Sequence, residues 1–544
     1  MKKFIDEYIN YNKVFFYMIK RFFIAVTLAI FCLPVETFAN LEKTNSSETS
    51  TLITCVKEGV SEIEGFTNEI FSTTTSIEDK YSILSKIDSK VKQMLDLFEK
   101  SSPEEKEMAR KIINGSDCLL LNKSLFAEKK AIAFCHNFAP NTDAAALRAT
   151  KRLSQICNKG GEQLSWTVCA NDKPHAWCNG VQDQFWMDFF TRHQYTEKII
   201  VPGNGRWAED SQWEWGKHAY EAVKEQFVPY IYSSSHNPSA HVAAWLYKQK
   251  YPNTIWIAEF GDPLFMGVDN KPRSITKKYN GSQKFLNSFW RDIEQYVYNE
   301  ADHIIFTNKN QQVYMLDVNP PKDRDAVEAK SWIWHHPKTD KRYADIFCSN
   351  YHLDENNINI GFFGSFYNKR TEKPMLELLK NPRVHIHIFT NALAQKRKQI
   401  ESISNRIHVN SLVTYMECLN LCKKMDYLFV NDVDFPGKIN PYLPSKLSNY
   451  LSVNVPVIAI VYPNTTMAQL NEKNLFKFFS SVPEDFVFSL KKINEDSVTA
   501  IKKLLDKPKV ARHTPITPTS QKVNRKLNNN TRFTRRKNIT IRHL

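Results

Sequence analysis

None of the ten cysteines in this 544-residue chain stands in a Cys-x-x-C pair, so neither a zinc site nor a disulfide framework is indicated, and a single pair such as Cys169 with Cys178 stays open. Cys418 and Cys422 are one helical turn apart, a spacing that marks a buried helix face. Adjacent His335 and His336 have no acidic or cysteine partner at ligand spacing, which reads as a loop rather than a metal site. There is no aromatic-basic interleaving or reader motif, so nucleic acid is not an expected partner. The apolar run Phe22–Leu33 spans twelve residues, too few to cross a bilayer comfortably. Finally, residues 507–544 have no acidic residue at all.

That last absence locates the charge. The tail holds eleven of the Lys and Arg behind the net +15, leaving only +4 for the preceding 506 residues. Rich in Asn and Thr and poor in apolar residues, 507–544 is expected to be disordered, either simply solvated or tethering the chain to an anionic membrane surface. At the other end, Met18-Ile19-Lys20-Arg21 precedes the apolar run and Thr37-Phe38-Ala39 follows it, the layout of a secretory signal; 1–39 is read as a signal-like or anchor segment.

Between these ends the composition, 42% hydrophobic and 12% aromatic, is that of a globular protein of two or three domains. Residues 40–125 read as a helical extension: Ile77, Tyr81, Leu84, Val91, Leu95 and Phe98 recur mainly at steps of three and four. A new helix is expected at Pro103, capped by Ser102. From 126 to 340 the pattern becomes strand and helix. Short apolar runs stand at Ala131–Cys135, Trp166–Cys169, Lys198–Val201, Tyr230–Ser233 and Thr254–Ala258, and Ala301–Asn308 reads as the last strand of this domain. Several end in polar residues, where parallel sheets bind ligands: Asn141 and Asp143 after the first run, His236 after the fourth, Glu259 and Asp262 after the fifth. Asp143 reads equally as the N-cap of the helix that carries Arg148, and Asp262 has an alternative as a turn cap before Pro263. Trp207, Trp213 and Trp215, set among acidic residues, suit sugar stacking, with core packing as the alternative.

A second α/β half is expected over 341–500. It opens at Asn359–Arg370, where a strand ends at Gly364 and the basic pair Lys369-Arg370 follows, so phosphate can approach backbone and meet a cation. Its most telling stretch is Met425–Ile460: a strand at Tyr427–Val430, a loop, Leu443-Pro444-Ser445-Lys446 entering a helix with Pro444 at its first position, Asn454 closing that helix, and a further strand from Val455. Such a unit presents free N–H groups to an anion at the helix start.

These segments resemble the GT-B glycosyltransferases, in particular glycosyltransferase family 4. The matching residues are Asp426-Tyr427-Leu428-Phe429, Leu443–Lys446, Asn449-Tyr450-Leu451 and Pro456-Val457-Ile458. Gly364, Lys369 and Arg370 match as well, and so does Trp256–Pro263 (WIAEFGDP) in the first half. The resemblance covers about Lys130 to Leu490. It departs at Asn449 and Pro441, where the family has glutamates, and at 141–144, where it has glycines. It implies an α/β GT-B fold, two Rossmann-like domains facing a cleft, and a hexosyltransferase-like enzyme that moves a sugar from a nucleotide-sugar to a glycan or lipid-linked acceptor with retention of configuration. Gly364, Lys369, Arg370, Ser445, Lys446 and Asn449 would then bind the donor, with no metal or other cofactor. Asn141, Asp143, Arg148 and Glu259 would face the acceptor, and Asp262 and His236 would serve catalysis. A degenerate GT-B protein that binds without turnover is the alternative that the departures favour. A nucleotide-sugar donor places the work at the cytoplasmic face of a membrane, in tension with the signal-like start.

Overall fold

The computed structural model describes residues 50–72, 75–139, 141, 143–160, 163–171, 195–203, 209–235, 237–273, 283–366 and 371–492. The expectations for 1–39, His236, Lys369, Arg370, Trp207 and the tail at 507–544 lie outside these residues.

The extension is three helices, α1 (Thr51–Phe71), α2 (Ile77–Lys100) and α3 (Pro103–Gly115). The third starts as its sequence dictates. Ser102 accepts from Glu105 N while the Glu105 carboxylate accepts from Ser102 N, a reciprocal capping box with Pro103 at the first helical position. Apolar residues at helical spacing, among them Leu84, Val91, Met94 and Phe98, turn inward. The extension packs on the segment between the two α/β halves: Phe71 meets Tyr343 edge-on at 6.3 Å, and Lys80 donates to Ile346 O.

The strands β1 (Lys129–Phe134), β2 (Leu164–Ala170), β3 (Glu197–Ile200), β4 (Tyr230–Ser235), β5 (Ile255–Phe260), β6 (His303–Phe306) and β7 (Ser331–Ile333) form one parallel sheet, ordered 3-2-1-4-5-6-7. Strands β8 (Ile358–Phe363), β9 (Val384–Phe389), β10 (Ile407–Asn410), β11 (Tyr427–Asn431), β12 (Val457–Val461) and β13 (Leu475–Phe479) form a second, ordered 10-9-8-11-12-13. Both are doubly wound Rossmann-like sheets with a reversal of strand order, between β1 and β4 and between β8 and β11. The fold is the expected α/β pair of Rossmann-like domains.

Ala301–Asn308 is not the last strand of the first domain. Ser331–Ile333 adds another, pairing with β6 from Ile304↔Ser331 to Phe306↔Ile333, before the chain crosses over. The pleat distributes the first sheet between two cores, Ala131 and Ala133 on one side, Ile132 and Phe134 on the other. The former core continues through the helical extension and into the second domain, where Val430, Leu447 and Tyr450 join it.

Asn308, at the end of β6, ties the domains together. Its Nδ2 donates to Pro441 O at 3.0 Å, and its Oδ1 accepts from Thr466 Oγ1 at 2.8 Å and from Gln311 N at 2.8 Å.

Candidate active site between the two sheets

A cleft of about 360 Å³ opens between the domains, beyond the carboxyl ends of β1 and β8. From the first domain it is lined by Asp143, Leu147, Arg148 and Lys151, and from the crossover by His336 and Pro337. The second domain contributes Phe363, Gly364, Ser365, Asn391, Tyr415, Ser445, Lys446 and Asn449. Of the residues singled out from sequence, the fold therefore brings Asp143, Arg148, Gly364, Ser445, Lys446 and Asn449 to one place.

The first-domain side depends on the start of α4 (Ala144–Gly160). Asp143 does both things the sequence allows it: Oδ1 accepts from Ala146 N at 2.8 Å, as an N-cap does, and the residue lines the cleft. Its Oδ2 accepts from Asn137 Nδ2 at 3.1 Å. Asn141 is buried in the loop, its Oδ1 facing Asp143 N at 3.4 Å, and does not line the cleft.

Glu259 lies away from the cleft, fully buried under α4. Arg152 donates to Glu259 Oε1 from Nε at 3.1 Å and from Nη2 at 2.8 Å, Tyr232 donates to Oε2, and Arg148 Nε stands 3.5 Å from Oε1. Burial alone would raise the Glu259 pKa, but the Arg152 and Arg148 guanidinium groups hold it below the usual carboxylate value. This carboxylate is spent on internal ion pairs, the physical reason it does not face an acceptor. Arg152 also donates to Trp334 O and His335 O, fastening the crossover. Arg148 donates to Ser235 O, and a Cβ at Gly261 would come within 2.2 Å of its Nη1, so glycine there makes room for it.

Asp262 is half-buried and does not line the cleft, although its charge is felt by His336, which does, and by Tyr442. Burial, then the Arg148 charge, push His336 down to about 3, leaving a neutral imidazole. His335 instead bonds to Thr307 O through Nδ1 at 2.8 Å. Among the described residues no group of three or more His, Cys, Asp or Glu could hold a metal ion. Trp215 is core rather than sugar platform: it is buried, donates Nε1–H to Val201 O at 3.2 Å and packs on His136.

On the second-domain side, α5 (Lys446–Ser452) begins two residues later than Pro444 suggests. Ser445 makes no side-chain cap to it, and Lys446 brings its charge to the same place. That ammonium lies 3.9 Å from the centroid of the Phe362 ring and close to Gly364, whose φ is +130°. Asn454, at φ 60°, turns the chain out of the helix.

Lys151, Thr339 and Tyr415 were not among the residues read from sequence. Lys151 donates to Thr339 Oγ1 at 2.6 Å and to Asn449 Oδ1 at 3.2 Å, joining the two domains across the cleft. Its spacing of three from Arg148 on one helix was the available signal. Cys55, Cys118, Cys135, Cys169, Cys348, Cys418 and Cys422 are free; Cys169 is buried, and burial pushes its thiol up to about 12.

No protein-family model matches the chain, and no curated protein does. Solved structures do. The N-terminal domain of a Candida albicans trehalose-6-phosphate phosphatase is 13% identical with TM-score 0.45, covering 72% of this chain and 94% of its own. A glycosyltransferase involved in avilamycin A biosynthesis is 10% identical with TM-score 0.40, over 68% and 91%. A UDP-N-acetylglucosamine 2-epimerase is 11% identical with TM-score 0.38, over 70% and 88%. These are likenesses of chain architecture alone.

Proposed function

We propose that this chain is a GT-B glycosyltransferase of the family-4 kind. It would move a sugar from a nucleotide-sugar to a glycan or lipid-linked acceptor, with retention of configuration. The observation that carries the reading is a shared cleft lined by Asp143 and Arg148 from one Rossmann-like domain and by Gly364, Ser445 and Lys446 from the other. In the reaction, the acceptor oxygen forms the new bond to the anomeric carbon. The bond from that carbon to the diphosphate oxygen breaks, and its electron pair leaves with the nucleoside diphosphate. Lys446 meets the negative charge that develops there, and Gly364 lets phosphate approach the backbone. Lys369 and Arg370 are assigned the same task on the resemblance. Asp262, whose charge is felt by the cleft residue His336, is assigned to orient the acceptor or take its proton.

The test is incubation of the purified chain with UDP-, ADP- and GDP-sugars and membrane or oligosaccharide acceptors, reading nucleoside diphosphate release and the anomeric configuration of the product. Acceptor-dependent release supports the reading. Tight nucleotide-sugar binding without release in the presence of any acceptor supports the degenerate binder instead, and absence of binding removes both. For location we propose the cytoplasmic membrane face with 507–544 as tether, on the charge of that tail. A mature chain beginning at Asn40 on the far side of the membrane would overturn it.

A further inference from the structure

Lys151 reaches from the first domain into a ring of neutral acceptors on the far side of the cleft. Its ammonium is bonded to Thr339 Oγ1 at 2.6 Å and Asn449 Oδ1 at 3.2 Å and lies 5.5 Å from the Tyr415 ring centroid. The acceptors are joined to one another: Tyr415 Oη donates to Asn449 Oδ1 at 3.0 Å and is bonded to Thr339 Oγ1 at 2.7 Å. No carboxylate pairs with Lys151 among the described residues. The other charged and titratable groups lining the cleft are Asp143, which caps the helix of Lys151, Arg148 on that helix, His336 from the crossover, and Tyr415, Cys418 and Lys446 from the second domain. Asp143 is the one acid among them, and its two oxygens already accept from Ala146 N and Asn137 Nδ2.

An aspartate or glutamate at position 449 would neutralise Lys151 from within. Asparagine does not, so a cation is held in a partly dehydrated cleft against dipoles alone, at a cost in desolvation. Burial accordingly draws its pKa down to about 7. A ligand anion placed beside it would supply the missing charge and draw a proton onto the amine.

We infer that the cleft takes a ligand bearing a second anionic group besides the diphosphate, a carboxylate or a phosphate monoester, and that Lys151 reads it. This rests on the nucleotide-sugar reading for the diphosphate itself. The group arrives either on the donor, as a sugar acid, or on the acceptor, as a phosphorylated lipid or sugar.

The experiment is calorimetric titration of the full chain and its Lys151→Met, Lys151→Arg and Asn449→Glu variants. The donor arm uses the glucose and glucuronate esters of whichever of UDP, ADP or GDP binds. The acceptor arm uses decyl phosphate, with and without that nucleotide. At pH 6 the native chain should prefer the anionic probe of one arm by about tenfold or more, a preference lost in Lys151→Met and kept in Lys151→Arg. It should fall between pH 6 and 8.5 in the native chain but not in Lys151→Arg, and buffers of different ionisation enthalpy should show proton uptake near pH 7. Asn449→Glu should abolish the preference while Lys151 is still present. Dependence in the glucuronate arm assigns the charge to the donor, and in the decyl phosphate arm to the acceptor. If folded Lys151→Met binds both anionic probes as the native chain does, the inference is overturned. If no nucleotide binds, the nucleotide-sugar reading fails, and the decyl phosphate titration without nucleotide still decides the role of Lys151.

Discussion

A Cβ placed on Gly364 would stand 3.0 Å from Lys446 Nζ, and Gly364 has the φ of +130° that side chains rarely adopt. One residue ends the first strand of the second sheet and the other starts the helix after its fourth, so the reversal of strand order between β8 and β11 brings them together. The ammonium lies against backbone and the Phe362 ring, where the proposed donor would place its diphosphate.

Gly364→Ala should therefore act twice. The backbone strain should cost about 1–3 kcal/mol of stability, and nucleotide affinity should fall as Lys446 is displaced. Thermal melting and nucleotide titration of the same preparation check this; unchanged affinity would show that the glycine does not set the position of Lys446.

Lys446→Ala leaves Gly364 in place and removes only the charge. Loss of a charge-assisted hydrogen bond to phosphate corresponds to about 1.5–3 kcal/mol, so nucleoside diphosphate affinity should fall about tenfold to a hundredfold. A folded variant with native affinity would remove Lys446 from the donor site.

Glu259→Gln tests a structural role. Leaving Arg152 and Arg148 buried against a neutral amide should destabilise the fold by about 3–5 kcal/mol in urea denaturation. A variant that melts normally but has a selectively raised acceptor KM would return Glu259 to the acceptor side.

Glu294 gives the fold a pH dependence. Buried, and accepting from Leu264 N at 2.8 Å and Phe265 N at 2.9 Å, it anchors the loop just past Asp262. Burial pushes its carboxyl up from 4.5 to about 7. Below pH 4.5 the group is protonated in both states and contributes no slope. As pH rises to about 7 the unfolded chain gives up this proton and the folded chain keeps it, so stability should fall by about 3 kcal/mol and then level off. Glu294→Gln should flatten that window in denaturation curves measured at several pH values; an unaltered slope would show that Glu294 does not titrate there.

What the sequence determined by itself is local. Buried parallel strands read as short apolar runs because both faces of such a sheet are covered, and Ser102-Pro103 with Glu105 marks a helix start through bonds made within one turn. Gly364 and Lys446 are also singled out by the sequence, and the fold brings both to one cleft. The edge strand Ser331–Ile333 has no signal in the sequence, because three residues carry too little pattern; only the free edge of β6 makes them a strand. Glu259 and Asn449 were decided by tertiary structure alone. Both stand where a strand end or a helix face should present them to ligand, yet the charge each meets comes from α4, far away in the chain. Arg152 claims Glu259 for the interior, and Lys151 crosses from the other domain to Asn449. Strand and helix follow from periodicity, but the partner of a buried charge is set by how two sheets and one helix pack, and no local pattern records that.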